Sequence, residues 1–132
     1  MRRTAGAALV AGGKILLGLR RPDETYYPDV WDICGGHCEA SESVEEALVR
    51  ELAEELDVRA TRWTKLGVFG EPAADGRAAA EHHVFAVVAW EGTPRNASSE
   101  HSEVRWFTRT ELMQLRMSSP RILSLFSHFA AI

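Results

Sequence analysis

Glu51, Glu54 and Glu55 stand at positions i, i+3 and i+4 of the segment SVEEALVRELAEELDV. On a helix, that spacing brings three side chains to one patch of surface. At 100° per residue, Val44, Leu48, Leu52 and Leu56 form one apolar stripe, and Glu51 and Glu55 each fall within about 20° of Val44. Glu54 lies about 80° from Val44. A carboxylate set against an apolar stripe is costly unless it is protonated or paired. Hard divalent cations such as Mg2+ or Mn2+ take oxygen ligands of this kind and keep waters that substrate phosphates can replace. The pattern therefore points to a divalent-metal site. An acidic helix edge meeting basic partners elsewhere is the plainer alternative. Glu46 and Asp57 fall on the open side of the helix, where a solvated charge needs no partner.

The 132 residues carry a formal charge of −4, and 45% are hydrophobic and 26% charged. This length suits one domain, 1–132, with an ordinary core. The negative balance leaves no electrostatic footprint for a nucleic acid polymer or an anionic membrane. An anionic substrate would need a cation to reverse the local sign. No run approaches the roughly 18 apolar residues of a membrane span. Cys34 and Cys38 are the only cysteines. Two thiols without a leader peptide predict a reducing, cytoplasmic setting. C-G-G-H-C is poorly spaced for structural zinc, so ordinary buried thiols are expected.

The surrounding elements must position these groups. Residues 4–10 and 14–19 predict a β-hairpin about Gly12-Gly13. RRPDETYYPD (20–29) is a polar, proline-punctuated loop. VWDI (30–33) is a short β-prone stretch leading into a loop at Gly35-Gly36. Ser43 and Glu46 have the form of a capping box, which predicts a helix from Ser43 to about Leu56. Strands are expected at 61–70, 83–90 and 104–108, the second covered on both faces. Long loops fall at 71–81 and 91–103, a helical turn at 110–115, and an amphipathic helix from Ser118 to Ile132 with Pro120 in its first turn. The expected class is α/β (α+β), a mixed sheet with helices packed on it.

Gly36, Glu42, Arg50, Glu51, Leu52, Glu54, Glu55 and Val58 fill, in register, the pattern G-x5-E-x7-R-E-U-x-E-E-x-G-U, with U apolar. This resembles the signature of the Nudix hydrolases. VWDICGGH and SEVRWFTRTEL also resemble the segments that flank it in that family. The resemblance implies an α/β/α sandwich with a central mixed β-sheet and a loop–helix–loop metal site. The sequence departs from the pattern in three places. Asp57 replaces a glycine that ends the helix in a left-handed conformation, Ser41 a frequent glycine and Cys34 a frequent proline. None of these removes a ligand.

The resemblance further implies that Glu51, Glu54 and Glu55 bind catalytic Mg2+, or Mn2+, with the backbone carbonyl of Gly35. Gly36 belongs to the motif, and Glu42 with Arg50 would brace the loop–helix–loop. Arg50 is also i−4 to Glu54 and i+4 to Glu46, so a structural salt-bridge role stands without the resemblance. The general base in this family is a motif glutamate, here Glu51 or Glu54, or an acid from a later loop. Glu100 and Glu103 are the later candidates, and Glu103, just before VRWF, is the better placed; an exposed surface position is the alternative for either. Arg20 and Arg21 could grip a distal phosphate, or be ordinary surface arginines. Tyr27 could stack a base, while Tyr26, Trp31 and Trp106 suit core packing better. His82 and His83 begin a strand and could face the cleft, though capping or surface positions suit them better.

The function implied is a divalent-metal-dependent pyrophosphohydrolase. It would cleave the diphosphate linkage of a nucleoside diphosphate joined to another moiety, a canonical or oxidised dNTP being the leading class. The alternatives are an isopentenyl-diphosphate isomerase-like enzyme and a non-catalytic Nudix-like nucleotide-binding module. The loops at 20–30, 71–81 and 91–103 would choose the substrate. The oligomeric state is open, a homodimer included.

Overall fold

The computed structural model describes residues 1–129. Strand β1 (Arg2–Ala11) turns through Gly12 and Gly13 into β2 (Lys14–Arg20). These glycines have φ of 58° and 76°, the two left-handed residues that a tight hairpin turn demands. The short strands β3 (Trp31–Asp32) and β4 (Cys34–His37) lead to helix α1 (Val44–Leu56). Then come the long hairpin of β5 (Arg59–Glu71) and β6 (Ala80–Glu91), β7 (His101–Thr108), and the helices α2 (Arg109–Leu112) and α3 (Pro120–Ser127).

The sheet is mixed. Its order is β3-β2-β1-β6-β5, with β4 added to β1 and β7 to β2. β1 and β6 run parallel, and the other pairs are antiparallel. Period-two alternation divides the buried side chains between two cores. Ala5, Ala7, Leu9, Phe85 and Val87 pack against Val44, Ala47, Leu48, Leu52 and Leu56 of α1. Ala8, Val10, Val84 and Ala86 face the opposite way and meet Leu112, Ile122 and Phe126 of α2 and α3. The result is the expected α/β/α sandwich.

Both ends of α1 are built as its sequence suggests. The Ser43 hydroxyl accepts from the Glu46 N–H while the Glu46 carboxylate accepts from the Ser43 N–H, so the helix starts at a complete capping box. Asp57 closes it at φ 58°, ψ 39°. Three elements depart from expectation. Gly35 and Gly36 lie in β4 rather than a loop, because Thr4 to Ala7 offer a free strand edge there. The β5–β6 hairpin extends to the pairs Gly70↔Glu81 and Glu71↔Ala80, which shortens the loop beyond it. Helix α3 stops at Ser127, where Arg109 donates to the carbonyls of Ser127 and Phe129. The last part of the helix expected to reach Ile132 lies outside the described residues.

Candidate active site

The site begins with the backbone of β4. The Cys38 N–H donates to the Arg3 carbonyl at 2.9 Å. Arg3–Cys38 and, two residues on, Ala5–Gly36 are therefore bonded pairs of the antiparallel ladder. Gly35 and His37, between them, turn their backbone groups away from β1. The His37 carbonyl is met on that side by Arg50 Nη2 at 3.1 Å, and the Gly35 carbonyl has the same outward sense. Gly35 has φ 151°, and a side chain there would overlap the Ala5 carbonyl. Only glycine fits.

Arg50 organises the carboxylates. It holds Glu42 with two nitrogens, reaches Glu51 Oε1 at 3.0 Å and lies 3.5 Å from Glu54 Oε1. Glu46, one turn before Arg50, is instead committed to the helix cap. Beside the guanidinium, Glu42 is held at about 2, well below the usual carboxylate range, chiefly by its hydrogen bond to Arg50.

Glu51 and Glu55 are 8% and 1% exposed, whereas the Glu54 side chain is 58% exposed. A Cβ on Gly36 would stand 2.6 Å from Glu51 Oε1, so the missing side chain is the space that Glu51 occupies. Neither Glu55 oxygen has a hydrogen-bond partner. Glu51 and the Gly35 N–H stand nearby without reaching bonding geometry. Burial pushes the Glu55 carboxyl well up, and Glu51 adds to the effect. An orphaned buried carboxylate among oxygen donors fits a hard divalent cation. Glu51, Glu54, Glu55 and the Gly35 carbonyl are the groups that could hold it.

The loop between β6 and β7 brings in one more acid. The Ala97 N–H donates to the Glu55 carbonyl at 2.9 Å and the Arg95 N–H to the Leu56 carbonyl at 3.0 Å, satisfying carbonyls that the helix end leaves open. The loop is thereby tied to α1, and Glu100 and His101 line the cleft beside Glu51. Burial, and next the charge of Glu51, raise the Glu100 carboxyl. Glu103 goes elsewhere: it pairs with Arg105 at 3.0 Å and is not part of the cleft wall. A β-bulge explains the difference. Leu19 pairs with Glu103 but Arg20 with His101, so the extra residue Ser102 breaks the alternation that would put His101 and Glu103 on one face.

The cleft has a volume of about 870 Å3. Tyr26 and Tyr27 stand on its wall, with Arg77 4.1 Å above the Tyr26 ring and the Tyr27 hydroxyl donating to Glu71. Arg20 lines the cleft but spends its donors on the carbonyls of Tyr26 and Tyr27 and on Glu24, bracing the loop it starts. Arg21 pairs with Asp23 outside the cleft wall. Trp31 packs edge-on against Phe107, and Trp106 lies against Trp90. His82 and His83 take the cleft-facing alternative rather than the favoured capping or surface positions. Both line the cleft, where His82 joins Thr4 to Glu71. Arg77, Asp32 and His37 were missed as cleft residues. For Arg77 the one signal was a basic residue in an otherwise Ala/Gly-rich loop.

A family model, the NUDIX domain, matches residues 1–128. The chain belongs to the Nudix hydrolase family. It is 31% identical to the CTP pyrophosphohydrolase of Escherichia coli (strain K12), covering 100% of this chain and 93% of that Nudix relative. A crystal structure of a MutT NUDIX hydrolase from Burkholderia pseudomallei superposes with a TM-score of 0.83 at 31% identity, covering 97% of this chain and 98% of the other. The isopentenyl-diphosphate Delta-isomerase of Nocardia farcinica (strain IFM 10152) is 35% identical over 82% of this chain and 63% of its own length. Nudix hydrolases use divalent metals, in keeping with the donor set around Glu55. Among the described residues no helix is long and apolar enough to cross a membrane.

Proposed function

We propose that the protein is a Mg2+-dependent nucleoside triphosphate pyrophosphohydrolase, with Mn2+ able to substitute, acting on a canonical or oxidised dNTP. The observation that carries this reading is the orphaned, buried carboxylate of Glu55 beside Glu51, at a cleft that Glu100 also lines. Glu51, Glu54, Glu55 and the Gly35 carbonyl hold the cation. When bound, it supplies a water of lowered pKa and offsets charge on the leaving phosphate. Glu100 takes the proton from the attacking water. Its raised carboxyl makes it a stronger base once ionised. The water oxygen bonds to phosphorus, a bridging P–O bond breaks, and nucleoside monophosphate and pyrophosphate leave. Arg50 and Glu42 keep Glu51 oriented throughout. Arg77 meets the distal phosphates, and Tyr26 and Tyr27 flank the base. The name of the Escherichia coli relative supports a nucleoside triphosphate as substrate. The reducing cytoplasm suits the two free thiols.

The test is release of pyrophosphate or phosphate from a panel of canonical and oxidised dNTPs, CTP, ADP-ribose and nucleotide sugars with Mg2+. Silence across the panel sinks the reading. The likeness to an isopentenyl-diphosphate isomerase favours one second reading. Cys34, on β4 with its side chain in the core shared with α1, does not line the cleft, and Cys38 is partly buried outside the cleft wall. Conversion of isopentenyl diphosphate to the allylic diphosphate by the same preparation would favour that enzyme. Nucleotide binding without turnover would favour a binding module.

A further inference from the structure

Cys34, Glu55 and His101 meet beneath the carboxylate cluster. One donor atom of each lies within 4.8 Å of the other two, and His101 Nδ1 is 3.6 Å from Glu55 Oε1. All three residues are buried, and His101 Nδ1 and both Glu55 oxygens lack hydrogen-bond partners. A buried carboxylate and imidazole left facing each other unbonded are costly. The surroundings nevertheless hold the ring in place. Asn96 donates to the His101 carbonyl at 3.0 Å, and a side chain on Gly18 would overlap the imidazole.

We propose that Cys34, Glu55 and His101 form a second metal site, for a borderline-soft divalent ion of the Zn2+ class, sharing Glu55 with the magnesium site. A thiolate, a carboxylate and a neutral imidazole sum to −2, so they neutralise a divalent ion and offset its desolvation. Sulfur and imidazole donors select zinc, whereas Mg2+ takes oxygen. Tetrahedral bonds of about 2.0–2.3 Å set donor atoms roughly 3.3–3.8 Å apart. The Glu55–His101 spacing already falls in that range, and the Cys34 sulfur lies within 4.8 Å of both partners. His101 lines the cleft, which gives the ion its path and leaves a fourth position for water. Binding expels the thiol proton and the carboxyl proton of Glu55 to solvent. Glu55 cannot serve both ions fully, so a zinc-class ion antagonises Mg2+. That antagonism rests on the magnesium reading above; the binding itself does not.

The test is titration of the metal-free full chain with Co2+, a coloured stand-in for Zn2+. The expected result is a near-ultraviolet thiolate-to-cobalt charge-transfer band that saturates at one equivalent and is bleached by Zn2+. Cys34→Ala and His101→Phe, each shown folded by circular dichroism, lose the band. No band in the wild type, or a band that survives Cys34→Ala and so belongs to Cys38, overturns the site. In the hydrolase assay, Zn2+ inhibits the wild type, excess Mg2+ relieves it, and Cys34→Ala needs at least about tenfold more Zn2+ for the same inhibition. Equal inhibition of both proteins overturns the sharing of Glu55. A protein that hydrolyses no nucleotide yet shows the band loses the proposed activity and keeps the site.

Discussion

Arg50 holds Glu42 in a two-pronged ion pair, Nε to Oε2 at 2.7 Å and Nη2 to Oε1 at 2.8 Å. The two planar groups meet in parallel, a geometry that lysine cannot reproduce. Glu42 titrates at about 2 in the fold against 4.5 for the free group. Its folded value is depressed, so the stability it contributes is fully present above about pH 4.5 and lost as pH falls towards 2. The melting-temperature gap between wild type and Glu42→Gln is therefore constant near neutrality and closes across that acid window. A gap that widens in acid would refute the pair.

Glu54 combines exposure with a place beside Arg50, 3.5 Å away. Its replacement leaves the core intact and removes one of the oxygens proposed to hold the cation. Glu54→Gln is expected to lower kcat by at least about a hundredfold at an unchanged melting temperature. A loss below about threefold would remove Glu54 from the site.

Glu100 and Glu103 separate by side-chain destination. Glu100→Gln, which takes a carboxylate from the cleft, is expected to cost about a hundredfold or more in kcat. Glu103→Gln breaks only an exposed pair with Arg105 and stays within about threefold of wild type. Steady-state rates at saturating Mg2+ decide between them, and the reverse order would return the role of base to Glu103.

Gly36→Ala tests the space that Glu51 fills. The new methyl carbon would stand 2.6 Å from Glu51 Oε1 and must displace that carboxylate from Arg50. The expected outcome is a several-fold rise in the Mg2+ concentration needed for half-maximal rate, read by titrating the metal at fixed substrate.

Asp57 sits at φ 58°, where glycine carries no Cβ penalty. Asp57→Gly also deletes the exposed ion pair with Arg95, which contributes little. The net expectation is a gain of about 0.5 kcal/mol by urea unfolding, with activity unchanged.

Much of this was legible from residue types alone. Helix periodicity separated the buried Glu51 and Glu55 from the solvated Glu46, and the apolar run at 83–90 marked a strand covered on both faces. What stayed hidden depended on contacts between segments distant in sequence. Gly35-Gly36 reads as a loop until Thr4 to Ala7 are seen to offer a strand edge. Glu100 outranks Glu103 only because Ala97 is tied to the end of α1, a bond between backbone atoms that no side-chain pattern encodes. Arg20 looked like a phosphate hook and is consumed by its own loop, while Arg77 reaches the cleft across a hairpin from 57 positions away in the chain, counting from Arg20.

The pairing of β4 with β1 has a consequence for how the protein fails. β1 also carries the parallel pairing to β6, so the backbone around Gly35 is stitched into the centre of the sheet. Its amide hydrogens at Cys34, Gly36 and Cys38 then exchange with solvent on the slow timescale of whole-molecule opening, although a cleft lies beside them. Heat inactivation is therefore expected to coincide with global melting, which activity and circular dichroism followed on one temperature ramp would check.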